Sequence, residues 1–86
     1  MAEMLSIINP ATEQLIKEIP VDDGAAIADK VKRARNAQPA WAARPLTERI
    51  EAIKTFRDAL IEQADSLAAT LTAETGKPIT QAKNEI

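Results

Sequence analysis

From Leu46 to Thr75 the chain runs without a glycine or a proline. Along it, Leu46, Ile50, Ile53, Leu60, Ala64, Leu67 and Leu71 recur at intervals of three, four and seven, with Phe56 and Ile61 widening the stripe. An apolar row at that spacing stays on one face only if the backbone is an α-helix. The stretch predicts one helix over residues 46–75, its stripe from Leu46 to Leu71 covering about seven turns, and the rest of the chain must supply a surface to cover its apolar side. Glu48, Glu51, Asp58, Glu62 and Asp65 fall mostly off the stripe, where they read as a solvated face with helical ion pairs rather than as paired acid and base catalysts.

The breakers on either side define the remaining elements. Pro45 suits the first turn of the long helix, where its missing amide costs nothing, and Gly76 supplies a left-handed residue that stops it. Pro78 suits the first turn of a further helix over 78–86, whose apolar face begins with Ile79, Ala82 and Ile86. Upstream, Asp23 is an N-cap for a helix over 24–38 carrying Ile27, Val31, Ala34 and Gln38, with Trp41 continuing the spacing; Pro39 is expected to end or kink it. Leu5 to Ile8 is a short, partly β-branched run stopped by Asn9-Pro10, and Gln14 to Pro20 alternates with a period of two. Strands over 5–8 and 14–20 therefore precede the helices, and residues 9–13 can join them as a hairpin loop, although no glycine is present there to supply a positive φ. The expected fold is α+β and mainly α: a short N-terminal β-hairpin followed by three helices, in a single segment spanning 1–86.

Composition narrows the function. The apolar content of 45% is rich in alanine and includes one tryptophan, Trp41, and one phenylalanine, Phe56, so the core is thin for 86 residues. With no cysteine and no histidine, the chain has no thiolate nucleophile, no sulfur-bound metal and none of the commonest general bases. Its two glycines, Gly24 and Gly76, cannot make a glycine-rich phosphate loop. A net charge of −2 argues against nucleic acid as a partner, which needs a basic face. The cations Lys30, Lys32, Arg33 and Arg35 read as a solvated helix end. Trp41 reads as a packing anchor, with ligand stacking the weaker alternative. The N-terminus lacks the basic and apolar regions of a signal peptide, and no apolar run approaches a membrane span, so a cytoplasmic location is expected.

Ile8-Asn9-Pro10-Ala11-Thr12, the strand after it, the helix ending in Pro39-Ala40-Trp41, Arg49 early in the long helix, and Glu74-Thr75-Gly76-Lys77-Pro78 together resemble the N-terminus of the NAD(P)-dependent aldehyde dehydrogenase superfamily. The segment from Gly76 to Ile86 is most similar to its succinate-semialdehyde dehydrogenase branch. The resemblance implies a parent enzyme of α/β fold that oxidises an aldehyde through a cysteine thiohemiacetal with NAD or NADP. It also implies the remainder of that chain as partner and a homo-oligomeric assembly, with neither nucleic acid nor membrane. None of the family's catalytic or cofactor-loop residues has a counterpart here, so an inactive fragment without bound cofactor is expected. The resemblance further implies a structural alkali cation held by the main-chain carbonyls of Ile8 and Ile7 and by Glu85, its other ligands lying elsewhere in the parent. The sequence departs from the family at Glu13, where glycine is usual, and at Pro45, where a capping Ser or Thr is common. A free-standing helical interaction module is the competing reading.

Overall fold

The computed structural model describes residues 3–86. Two strands, β1 (Met4–Ile8) and β2 (Leu15–Pro20), precede four helices, α1 (Gly24–Ala43), α2 (Leu46–Glu62), α3 (Ala64–Thr75) and α4 (Ile79–Glu85). The mainly α arrangement with an N-terminal hairpin is the one expected, with one helix more. The chain divides into two compact units, one formed by the hairpin and residues 57–86, the other by Asp22–Phe56.

In the first unit β1 and β2 pair antiparallel, with Met4 opposite Pro20 and Ile7 opposite Lys17; the register shifts between Ile7 and Ile8, which faces Leu15. The loop between them is closed by short-range polar bonds. The Asn9 side-chain carbonyl accepts from the amides of Ala11 at 2.8 Å and Thr12 at 3.1 Å, the Asn9 backbone accepts from the Glu13 amide at 2.7 Å, and its own amide donates to Gln14 at 2.9 Å. That closure needs one left-handed residue, and with no glycine in the loop Glu13 takes it, at φ 63°. A side chain in that region costs roughly 1–2 kcal/mol, which an asparagine-anchored loop of this kind has to offset.

The thirty-residue helix expected over 46–75 is divided at Gln63 into α2 and α3. No glycine or proline marks the spot. Gln63 rotates to φ −101°, ψ 11°, about 50° in ψ from the helical value. The hydrogen-bond ladder nevertheless survives on both sides: the Gln63 amide still donates to Ala59 at 3.1 Å, and its carbonyl accepts from Leu67 at 2.9 Å. Gln63 itself leaves the helical run, so the regular ladder is interrupted there even though both flanking turns close. Beyond it, α3 packs on α4, and the two fully buried residues among those described, Ala68 and Ala82, lie one on each of these helices. Two alanines allow close helix approach but bury little apolar area, roughly 25 cal/mol per Å².

In the second unit Asp23 caps α1 as expected, its carboxylate accepting from the Ala26 amide at 2.8 Å. The helix does not stop at residue 38; it continues through Pro39 to Ala43. Proline removes the bond that the Arg35 carbonyl would receive, but Arg35 and its neighbours are exposed, so water can satisfy that group. Termination comes from Pro45 instead, which forces the preceding Arg44 out of the helical region to φ −66°, ψ 146°. The remaining boundaries agree with expectation to within a residue.

Candidate functional site

The segment joining α3 to α4 is built from its own residues. Gly76 sits at φ 77° and donates its amide to the Thr72 carbonyl at 2.9 Å, a left-handed C-cap that a residue with a Cβ would strain. Thr75 turns its hydroxyl back to the Leu71 carbonyl at 2.8 Å and accepts the Lys77 amide at 3.3 Å, so the backbone groups freed at the helix end find partners. Pro78 then precedes α4, its carbonyl accepting the Ala82 amide at 3.0 Å.

This corner meets the hairpin loop. A Cβ placed on Gly76 would lie 3.2 Å from Cγ of Pro10. Asn9-Pro10 and Gly76-Lys77-Pro78, at opposite ends of the sequence, are therefore neighbours in the first unit; the glycine is required by its φ, and the approach of the proline ring is a minor addition.

Of the residues the sequence points to for an alkali cation, Ile7 and Ile8 lie on β1 at its register shift, and Glu85 is the last residue of α4. The Glu85 carboxylate accepts from the ammonium of Lys77. A carboxylate so engaged is a poor fit for a second monovalent cation, because the ammonium already neutralises it and repels another positive charge. Nearby, Lys83 lies 3.8 Å from Asp65, linking α4 to the first turn of α3. Among the described residues no group of three or more His, Cys, Asp or Glu side chains is placed to hold a metal.

The second unit contains an open groove of about 380 Å³, lined by Trp41, Leu46, Arg49, Ile50, Ile53 and Lys54. Its floor is aliphatic and aromatic, and Arg49 is oriented by a bond from its Nε to the Arg44 carbonyl at 3.2 Å. The sequence marks Trp41 and the Leu46–Ile53 stripe as apolar. That the groove lies between them follows from α1 continuing past Pro39 and carrying Trp41 with it. Within the basic cluster of α1, Lys30 pairs with Asp22 at 2.5 Å and Arg33 with Asp29 at 3.2 Å, which fits a solvated, locally compensated helix face. The groove lining holds no hydroxyl, thiol or carboxylate.

Comparison with known proteins gives these features their context. The aldehyde dehydrogenase family model matches residues 1–86. The chain belongs to the aldehyde dehydrogenase family. An N-succinylglutamate 5-semialdehyde dehydrogenase of Pseudomonas fluorescens is 38% identical over 84 residues, covering 98% of this chain and 17% of that protein. A glutarate-semialdehyde dehydrogenase of Pseudomonas aeruginosa is 36% identical over 84 residues, covering 98% of this chain and 17% of that protein. A probable NADP(+) succinate-semialdehyde dehydrogenase of Sinorhizobium fredii is 39% identical over 85 residues, with coverages of 98% and 17%. No solved structure gives a significant match. The chain thus spans about one-sixth of the length of these curated relatives, in agreement with the aldehyde dehydrogenase segment expected from the paired Asn-Pro and Gly-Lys-Pro motifs. No helix of the described residues is long and apolar enough to cross a membrane.

Proposed function

We propose that this chain is the N-terminal part of an NAD(P)-dependent aldehyde dehydrogenase acting on a semialdehyde, succinate semialdehyde being the representative substrate, which it oxidises to the acid. The observation that carries this reading is the family match over residues 1–86, together with relatives whose names are those of semialdehyde dehydrogenases. NADP(+) stands in the name of the Sinorhizobium relative, which supports a nicotinamide cofactor for the parent. The residues present contribute scaffold. They include no cysteine to attack the aldehyde and no glycine-rich loop to receive a pyrophosphate, so these residues alone are inactive and bind no dinucleotide. Their partner is the remainder of the dehydrogenase, within a cytoplasmic homo-oligomer. The exposed apolar side chains Ile27, Val31, Ile50, Ile53 and Phe56 in the second unit support a role in packing against further protein.

The test has two parts. Titration of NAD and NADP into residues 1–86 in a calorimeter is expected to give no saturable heat, and a saturable isotherm refutes the scaffold role. A coding frame continuous with this sequence is expected to supply a glycine-containing cofactor loop and a later cysteine, and its product to reduce NAD(P) with succinate semialdehyde. Closure of the frame without them returns the chain to a free-standing interaction module.

A further inference from the structure

Helix α4 has a favourably placed cation, Lys83, in its last turn, but the two charges at its extremes stand the wrong way round for its dipole. Lys77 lies just before its N-terminus, where the amides make the potential positive, and Glu85 closes its C-terminus, where the last carbonyls make it negative. Each charge is disfavoured where it stands, and a carboxylate beside free carbonyl oxygens is the kind of oxygen cluster that attracts a hard cation. In this structure the cation is internal. Lys77 reaches along the helix, a span of about 10 Å for its seven residues, and its ammonium donates to Glu85. The Lys77 side chain is 31% exposed, the more covered of the two partners. Its starting point is set by the left-handed turn at Gly76 and by the Lys77 amide bonded to Thr75.

We propose that Lys77 is the resident cation of Glu85, filling the position at which family resemblance leads one to expect an alkali ion. Sodium or potassium is then not a structural requirement of this segment, and Lys77 is the positioning residue that ties the end of α4 at Glu85 back to the turn before the helix. This inference is independent of the aldehyde the parent oxidises. It predicts that removing the ammonium, and only that, creates a demand for an external ion.

The experiment is a set of thermal melts of residues 1–86 in tetramethylammonium, sodium and potassium chloride at equal ionic strength. The wild-type chain and K77R are expected to melt at the same temperature in all three salts. K77M, which keeps most of the aliphatic stem, is expected to lose about 2–5 °C in tetramethylammonium chloride, as for one ion pair in a chain of this size, and to recover in sodium or potassium chloride. Adding E85Q to K77M should abolish that recovery. A wild-type midpoint that rises specifically with sodium or potassium overturns the proposal, as does a K77M midpoint equal to wild type in tetramethylammonium chloride or one that no alkali salt restores. Should K77M fail to fold in every salt, K77R decides: a folded, salt-indifferent K77R supports the ammonium's role, and an unfolded K77R refutes it.

Discussion

The chain has two glycines in different conformational states, so replacing each with alanine is expected to move stability in opposite directions. At Gly76, φ is 77° and an added Cβ meets Cγ of Pro10 at 3.2 Å. A left-handed residue with a Cβ costs roughly 1–2 kcal/mol, while alanine restricts the unfolded chain and returns about 0.4–1 kcal/mol. The proline contact adds little, since Pro10 is exposed and its ring needs to yield only a few tenths of an ångström. The balance is a net loss of about 1 kcal/mol, a fall of roughly 4–8 °C in Tm for a domain of this size. At Gly24 nothing lies within 4 Å of an added Cβ and φ is ordinary for an L-residue. There the same substitution is expected to gain up to about 0.5–1 kcal/mol and raise Tm by a few degrees. Circular dichroism melts at 222 nm, with urea titrations to confirm the free-energy difference, read both variants. A double-mutant cycle with P10A should show coupling of no more than about 0.5 kcal/mol. If Gly76→Ala melts at or above the wild-type temperature, or if both variants move the same way, the left-handed cap does not hold this corner.

Other perturbations test the packing and the caps. Thr72 has a buried hydroxyl oxygen with no hydrogen-bond partner; Thr72→Val is expected to raise stability by about 1 kcal/mol, because a methyl group needs no partner, and a drop in the urea midpoint would contradict it. Asp23→Ala removes the acceptor for the Ala26 amide and should cost about 1 kcal/mol of α1 stability, visible as faster amide exchange in the first turn of that helix. With so many large apolar side chains exposed, residues 1–86 at micromolar concentration are expected to sediment as a species heavier than the 9.3 kDa monomer, and a single compact monomer would refute that.

Local chemistry was legible wherever it acts within about one helical turn. Asp23, Pro45, Gly76 and Pro78 mark helix ends because a cap or a missing amide affects only its own few residues. Pro39 misled for a related reason: an interior proline is costly on average, but the cost depends on whether water reaches the carbonyl it orphans, and exposure is not a local property. The break at Gln63 carries no breaker residue, and an apolar stripe passes through a one-residue interruption of this kind without losing its period. As to the candidate site, the motifs were readable but their juxtaposition was not, since nothing in Asn9-Pro10 itself signals the glycine against which it packs.

By itself, then, the sequence determined the kind and order of the elements, most of their capped ends, the lack of cysteine and histidine, and the family, because these depend on side-chain identity and on bonds between near neighbours. Only the tertiary structure decided that α2 and α3 part at Gln63, that Pro10 leans on Gly76, and that Lys77 rather than a more distant group takes the Glu85 carboxylate. Those outcomes turn on where the chain brings remote or non-adjacent groups in space, and on which of several competing partners arrives within bonding distance.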